Sequence, residues 1–309
     1  MRGILKRYGT LLAFFGLLIL FSVLRGSVFF TLRNFFNITQ QISILMMVAI
    51  GATYILAIAE FYLSLSFMVS FVGIVAAGMM ASGVHPLLAT TVALSLTVLF
   101  GILNGVLVAT LRLPSFVTTL ATGTLLGGIT FWYSGGTIIF SGIPRSFMVL
   151  GQGSLGRIPS SSLLMFVLLF WSSYLLLRTT LGKAIYAVGG NEIAAWYSGI
   201  RVSRVKITAF FLAALHSGLA GIVLTSRLGS AHPTGGGGYL MPSYAAAFLG
   251  TTLFREGEAN IWGTFVGALI MGVLANGLTI LNVPYFLQDI FTGMILVGAL
   301  ILRTSRERR

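Results

Sequence analysis

The sequence predicts an all-α fold, a polytopic bundle of about ten transmembrane helices. Of the 309 residues, 57% are hydrophobic and 8% are charged, and the mean hydropathy is +0.99. Soluble domains carry about 25% charged residues, so this chain has too few charges to cover a surface that faces water. A spanning helix needs about 20 apolar residues, and short connections between spans leave no room for a soluble catalytic domain. We therefore expect residues 1–309 to form a single transmembrane domain.

Charged residues, Pro and Gly divide the chain into ten apolar segments. Each segment is predicted to be a helix, because a bilayer requires a backbone that satisfies its own hydrogen bonds. The segments cover residues 10–24, 42–59, 66–82, 86–110, 115–133, 161–177, 206–226, 240–254, 261–281 and 285–302. Between them, the Gly-, Ser- and Pro-rich stretch 134–160 predicts an outer surface loop, and the charged stretch 178–206 predicts a cytoplasmic loop.

The distribution of basic residues predicts that both termini are cytoplasmic. The chain has 19 Lys and Arg residues and a net charge of +13. Alternating the ten segments from a cytoplasmic start places fourteen of the 19 inside and five outside. The five outer residues are Arg25, Arg33, Arg145, Arg157 and Arg227. This bias follows the positive-inside rule and indicates contacts with anionic lipid rather than with nucleic acid.

Several kinds of chemistry are not expected of this chain. It has no cysteine, which excludes disulfides and thiolate metal sites. The histidines His85, His216 and His232 lie far apart, so no metal site is expected. The glycine run 235–238 lacks the Lys-Ser/Thr of a phosphate-binding loop, so we expect no ATP hydrolysis by this chain.

Three GxxxG pairs lie within the predicted spans, at Gly101 and Gly105, Gly123 and Gly127, and Gly263 and Gly267. This spacing places both glycines on one helix face, where a neighbouring backbone can approach closely. The pairs predict either tight packing within one subunit or the seam of a dimer.

Polar residues within the membrane are candidates for function, because burying them in lipid is costly. Glu60, His216 and Asp289 are the ionisable candidates, and Asn104, Asn276 and Gln288 are neutral ones. Neutral hydrogen-bonding groups suit an uncharged, polyhydroxylated solute better than an ion. A structural role is the alternative for each, either as a helix-end group or, for His216, as an interhelical contact.

The stretch 182–200, GKAIYAVGGNEIAAWYSGI, predicts a short capped helix in the cytoplasmic loop. Gly189 and Gly190 allow a sharp bend, and Asn191 is a good N-cap. Glu192 places a carboxylate at the positive helix end, and Gly199 is positioned to stop the helix. Such a helix suits docking on a soluble partner, and an interfacial amphipathic helix is the alternative.

This stretch resembles the coupling-helix signature of the ribose-type permeases of bacterial ABC importers, roughly G-R-x-x-Y-A-x-G-G-N-x-x-A-A-x-x-S-G-I. The matching residues are Gly182, Tyr186, Ala187, Gly189, Gly190, Asn191, Ala194, Ala195, Ser198, Gly199 and Ile200. The resemblance implies that Gly189, Gly190, Asn191, Glu192, Ala194, Ala195, Ser198 and Gly199 couple the chain to an ATPase. A second match lies at 245–267, through Leu249, Gly250, Thr251, Gly263, Thr264 and Gly267.

Two motifs depart from the family pattern. Where members commonly carry G-x-x-D-L-S-V-G, this chain has Tyr62 in place of the acid and Ser66 in place of the last glycine. The family's glycine-rich G-G-x-G is replaced by Arg255, Glu256, Gly257 and Glu258. These changes leave open the identity of the solute, and also whether the chain pairs with itself or with a paralogue.

The resemblance implies a permease subunit that imports a simple sugar or sugar-like solute across the bacterial inner membrane. Its implied partners are a second permease subunit, cytoplasmic ABC ATPase subunits and an extracytoplasmic solute-binding protein. ATP and Mg would be bound by the ATPase partner, and no cofactor by this chain. The residues expected along the translocation path are Glu60, Tyr62, Asn104, His216 and Asn276. The alternatives are a proton-coupled secondary transporter and a non-translocating subunit of a hetero-oligomer.

Overall fold

The protein is described by a computed structural model that covers residues 2–254 and 257–307. Arg255 and Glu256 of the departing motif, and the terminal arginines Arg308 and Arg309, lie outside the described residues. The helices are α1 (Arg2–Phe29), α2 (Leu32–Ala57), α3 (Leu65–Ala81), α4 (Pro86–Ala109), α5 (Ser115–Ser134), α6 (Arg145–Gln152), α7 (Ser160–Arg178), α8 (Thr180–Gly190), α9 (Glu192–Tyr197), α10 (Val202–Leu228), α11 (Leu240–Gly250), α12 (Ile261–Ile280) and α13 (Tyr285–Glu307).

The predicted all-α fold is confirmed, because each of the ten apolar segments contains a helix. Among the described residues, six helices are long and apolar enough to cross a membrane: Thr10–Phe29, Leu32–Ala57, Pro86–Ala109, Ser160–Arg178, Val202–Leu228 and Ile261–Ile280. The segment predicted at 240–254 is shorter than expected. Its helix α11 has 11 residues and extends about 16 Å at 1.5 Å per residue, roughly half of a 30 Å hydrocarbon core.

The stretch 134–160, predicted to be an outer surface loop, is largely exposed and contains short regular elements. This stretch contains α6 and an antiparallel hairpin, β1 (Ser154–Leu155) and β2 (Ile158–Pro159). The end of α10 stabilises α6, since Ser226 Oγ donates to the Phe147 carbonyl at 2.7 Å and accepts the Gly151 N–H at 2.8 Å. A contact between residues 75 positions apart is invisible to local composition.

Helix α10 lies at the centre of the bundle and packs against α2, α3, α4, α6 and α8. Small residues make this packing close: a methyl group added at Gly51 on α2 would lie 3.0 Å from the Ala213 carbonyl oxygen on α10. A methyl at Gly221 on α10 would lie 2.3 Å from the Val69 carbonyl oxygen on α3. These helices can therefore touch only because the side chain is absent.

The three GxxxG pairs pack within the subunit. Gly101 and Gly105 on α4 contact α10, and Gly263 and Gly267 on α12 contact α11. Gly123 and Gly127 on α5 contact the Phe67 ring on α3. Of the two alternatives, the structure supports packing within one chain for all three pairs.

The segment 229–239 leaves the end of α10 and turns back into the bundle before α11 begins. Ala231 and Ile139 exchange two backbone hydrogen bonds, of 2.8 and 3.0 Å, near the end of α10. Gly236 lies deeper in the bundle, where its N–H donates to Oγ of Ser70, a residue of α3, at 2.8 Å. A 3₁₀ turn, Gly237–Tyr239, then leads into α11. α11 therefore starts within the bundle, which explains why it is short.

Candidate functional site

The predicted cap of α9 is confirmed. Asn191 has an extended backbone, with φ −159° and ψ 106°, so the chain turns between α8 and α9 at this residue. Its Oδ1 accepts the Ala194 N–H at 2.9 Å, and Glu192 lies in the first turn. The cap satisfies a free helix N–H group and the carboxylate faces the positive end of the helix.

The predicted stop at Gly199 is also confirmed. Gly199 has φ +82°, a left-handed conformation that favours glycine. Its N–H donates to the Trp196 carbonyl at 2.9 Å, and the Ile200 N–H donates to the Ala195 carbonyl at 3.1 Å. This is the Schellman pattern of hydrogen bonds. Ser198 Oγ adds a 2.9 Å bond to the Ala194 carbonyl, so both ends of this short helix are fixed.

Gly189 and Gly190 do not form the predicted bend, because α8 continues through both residues. Gly189 has a different role. A methyl group there would lie 2.0 Å from the Ala57 carbonyl oxygen at the end of α2, whereas one at Gly190 would meet nothing within 4 Å. Gly189 therefore allows α8 to pack against the end of α2.

Helix α9 presents large apolar side chains to the surface. Ile193, Trp196 and Tyr197 are 70%, 63% and 78% exposed, and Ala195 is the one buried residue of the helix, at 4%. Ala195 thus holds α9 against the bundle. The other three form an exposed apolar face next to the bundle.

A basic groove lies beside this face. Its volume is about 1040 Å³, and its lining joins α9 to the start of α10 and to the α4–α5 connection. Arg112, Arg201 and Arg204 contribute its positive charge. Glu192 is the one acid in its lining, so the apolar patch is rimmed mainly by positive charge, the type of surface that binds a partner with an acidic rim.

Lys206 connects α9 to the bundle through two ion pairs. Its Nζ lies 2.8 Å from Glu192 Oε2 on α9 and 2.8 Å from Glu60 Oε1 in the α2–α3 connection. The side chains of Lys206 and Glu60 are 9% and 17% exposed, and that of Glu192 is 56% exposed. One buried cation therefore joins the surface helix to an internal segment.

That internal segment, 58–64, is an unwound stretch in which the backbone N–H groups of residues 61–63 are bonded by side chains of other helices. The Phe61 N–H donates to Ser115 Oγ at 3.2 Å, and the Leu63 N–H donates to Thr119 Oγ1 at 3.0 Å, both on α5. The Tyr62 N–H donates to Tyr244 Oη on α11 at 2.8 Å. Irregular backbone inside a membrane bundle needs such partners, so segment 58–64 ties α5 to α11.

Tyr62 and Asn104 are brought together in the structure. Both are fully buried, and the Asn104 Nδ2 donates to Tyr62 Oη at 3.4 Å. The Tyr62 hydroxyl donates to Met68 Sδ at 3.3 Å, and Thr122 Oγ1 donates to Asn104 Oδ1 at 2.7 Å. In this conformation, the tyrosine that replaces the family's usual acid forms part of the interhelical packing.

His216 and Asn276 lie apart from that pair and from each other. His216 is fully buried on α10, within 3.0 Å of Ser172 Oγ and 2.7 Å of the Leu212 carbonyl. Asn276 Oδ1 accepts from Asn34 Nδ2 at 3.0 Å. Their membership of the translocation path remains a prediction. Among the described residues, no group of three or more His, Cys, Asp or Glu side chains is placed to hold a metal ion.

Sequence reasoning missed Lys206 and the exposed face of Ile193, Trp196 and Tyr197. In the sequence, Lys206 was counted only as one more basic residue of the inner side. No local pattern indicates that two carboxylates form ion pairs with it. The apolar face could have been found, because large apolar residues on so short a helix cannot all be buried.

Comparison with known proteins gives extensive matches. Residues 4–300 match the family model described as the branched-chain amino acid transport system / permease component. The ribose import permease protein of Escherichia coli (strain K12) is 36% identical over 301 residues, covering 96% of this chain and 94% of the relative. That of Bacillus subtilis (strain 168) is 37% identical over 307 residues, covering 99% and 95%.

An L-arabinose ABC transporter permease protein of Azospirillum brasilense is 32% identical over 309 residues, covering 99% of this chain and 90% of the relative. No solved structure matches significantly. The family match and the relatives both cover almost the whole chain, and the match includes the stretch that forms α8 and α9. The chain therefore belongs to the branched-chain amino acid transport permease family, among the ribose-type permease subunits of ABC importers.

Proposed function

We propose that this chain is the permease subunit of an ABC importer that carries a simple sugar or sugar-like solute across the bacterial inner membrane. The relatives named for ribose and L-arabinose support the solute class. They do not support the two alternatives left open by the sequence, a proton-coupled transporter and a non-translocating subunit. ATP and Mg are bound by the partner ATPase in this scheme.

The observation that carries the proposal is the exposed apolar face of α9 beside a basic groove. A helix fixed at both ends and buried only at Ala195 is rigid enough to transmit a push from a soluble partner. Gly189, Gly190, Asn191, Glu192, Ala194, Ala195, Ser198 and Gly199 then shape and position the coupling element. Ile193, Trp196 and Tyr197 supply its contact surface, and Arg112, Arg201 and Arg204 favour an acidic ATPase surface.

The proposed membrane topology has ten crossings, with both termini and α9 in the cytoplasm. The pattern of basic residues supports this arrangement. In this topology α11 crosses only half of the bilayer, and segment 229–239 enters from the outer side to complete the crossing. A second permease subunit, identical or paralogous, and an extracytoplasmic binding protein complete the transporter.

The contacts of Lys206 suggest how force enters the bundle. A push on α9 moves Glu192, Lys206 transmits the displacement to Glu60, and segment 58–64 passes it to α5 and α11 through Ser115, Thr119 and Tyr244. In this scheme the chain transmits force from the ATPase to the helices of the bundle.

The docking role is tested by Tyr197→Glu, which places a charge on the exposed face of α9. Because Tyr197 is 78% exposed, the chain should insert normally, while co-purification of the ATPase with the full transporter should fall at least tenfold. Leu155→Glu on the hairpin, at a residue that is 73% exposed, is the matched control and should leave ATPase binding unchanged. ATPase binding of normal strength in the Tyr197→Glu complex would refute the docking role.

A further inference from the structure

A small pocket lies in the part of the bundle that is distant from α9. Its volume is about 220 Å³, and it is lined by α2, the start of α11, α12 and α13. The end of α2 and the start of α12 lie near α8, where Tyr186 Oη donates to the Ala259 carbonyl at 2.8 Å. The pocket is instead lined by Gln41 in the first half of α2 and Ala275 in the second half of α12. It therefore occupies the outer part of the proposed topology.

The pocket wall combines hydrogen-bonding groups with apolar surface. Gln41, Gln288, Asp289 and Thr292 line it with two amides, a carboxylate and a hydroxyl. Apolar side chains such as Ile42, Leu45 and Met271 form much of the remaining wall. A few placed polar groups in an apolar wall are typical of small-molecule sites. This combination suits a sugar, which has both hydroxyl groups and C–H faces.

Asp289 contributes a carboxylate to the pocket wall. It is exposed, and it lies in the first turns of α13, a helix with an apolar stretch from Phe286 to Gly298. Among the described residues, no basic group forms a salt bridge with it. Because a carboxylate that faces lipid is costly, we expect this face of α13 to turn toward water or protein. With no ion pair to a described residue, its oxygens can accept hydrogen bonds from a solute.

We propose that this pocket receives the solute on the outer side, and that it selects neutral polyhydroxylated molecules of monosaccharide size. Asp289 accepts hydrogen bonds from sugar hydroxyls and repels anionic analogues such as sugar acids, while Gln41 donates or accepts through its amide. This assignment rests on the proposed function and adds the contact residues and a charge selectivity to it.

The pocket also adjoins the route of force described above. Pro242 of α11 lies in its wall, and Tyr244, two residues further on, holds the Tyr62 N–H. A movement of α11 driven through segment 58–64 would therefore change the shape of the pocket. Helix α11 therefore links the pocket to segment 58–64, which is joined to α9 through Lys206.

Cysteine labelling tests the pocket directly, because the native chain has no cysteine. Gln41→Cys and Asp289→Cys are each placed in the full transporter complex in proteoliposomes, and a membrane-impermeant methanethiosulfonate reagent is added from outside. Both positions should react at least tenfold faster than Val23→Cys, a residue of α1 that is 79% exposed. D-ribose or L-arabinose should slow the reaction at Gln41→Cys, and the anion D-ribonate should not.

A second variant measures the contribution of the carboxylate. Asp289→Asn should raise the KM for sugar uptake about tenfold and weaken the exclusion of D-ribonate, with ATPase binding unchanged. If the wild-type complex takes up D-ribose or L-arabinose but neither sugar slows labelling at Gln41→Cys, the pocket assignment is wrong and the proposed function stands. If the wild-type complex takes up no sugar on ATP addition, the proposed function fails, and the pocket fails with it.

Discussion

Replacing Lys206 with Met should uncouple ATP hydrolysis from transport. Lys206 Nζ forms ion pairs of 2.8 Å with Glu60 and with Glu192. Lys206→Met keeps most of the volume of the side chain but removes its charge. α9 then loses its ionic link to segment 58–64, whereas its exposed contact face is unchanged.

The two ion pairs differ in strength because they differ in exposure. A hydrogen bond to a charged group contributes about 1.5–3 kcal/mol when it is shielded from water. The Glu60 side chain is 17% exposed, so we expect about 2 kcal/mol for its pair. The Glu192 side chain is 56% exposed, so solvent screening reduces its pair to about 0.5 kcal/mol. Double-mutant cycles on the unfolding free energy should return these two values in that order.

The assay is sugar uptake per ATP hydrolysed by the full complex in proteoliposomes. For Lys206→Met we expect at least a tenfold fall in this ratio, with ATPase binding retained. Lys183→Met, at an exposed lysine of α8, is the control and should keep the wild-type ratio.

A double variant separates stability from coupling. Adding Glu60→Gln to Lys206→Met removes the unpaired buried carboxylate, so the unfolding free energy should recover. The ratio of uptake to ATP hydrolysis should stay low, because the ionic link is still absent. A wild-type ratio in either variant would refute the role of Lys206 in transmitting force.

Two further predictions concern the backbone near the coupling element. Gly189→Ala should lower the unfolding free energy by about 1–3 kcal/mol, because the added methyl would lie 2.0 Å from a carbonyl oxygen. The methyl of Gly190→Ala meets nothing within 4 Å, so this control should not destabilise the protein. Thermal melts of the purified complex compare the two variants, and an equal loss of stability in both would contradict the packing role of Gly189. Ala59→Gly should raise the unfolding free energy by up to about 1 kcal/mol, because Ala59 has φ +57°, a left-handed conformation that strains alanine. Ala187→Gly, within α8, is the control and should lower the unfolding free energy by a similar amount. A destabilised Ala59→Gly variant would show that the conformation of Ala59 is not strained.

Local patterns accounted for most of the helices. Apolar runs bounded by charge, Pro and Gly identified all ten main helices, because a bilayer allows few other backbones. The caps at Asn191 and Gly199 could also be predicted from the sequence, since each depends on a residue's own hydrogen bond or φ angle. The helix α6 was not predicted, and its hydrogen bonds to Ser226 join it to a residue that is distant in sequence.

The site was predicted less completely than the fold. The coupling stretch stood out by its resemblance to a family signature, but Gly189 was assigned a bend when its role is close packing against α2. Tyr62 and Asn104 were named separately, and only the folded chain shows their contact. Asp289 and Gln288 stood out in the sequence as polar residues of a predicted span, but nothing there indicated that they share a pocket with Gln41, almost 250 positions away.

The sequence by itself determined that this protein is a helical membrane bundle with a capped helix between two basic stretches. Hydropathy, charge bias and cap residues act over a few neighbouring positions, so they are readable along the chain. Only the tertiary structure decided that Lys206 joins Glu192 to Glu60, that α11 begins inside the bundle, and that a carboxylate and two amides meet in one pocket. Those features arise from contacts between distant segments, which packing sets and no local pattern encodes.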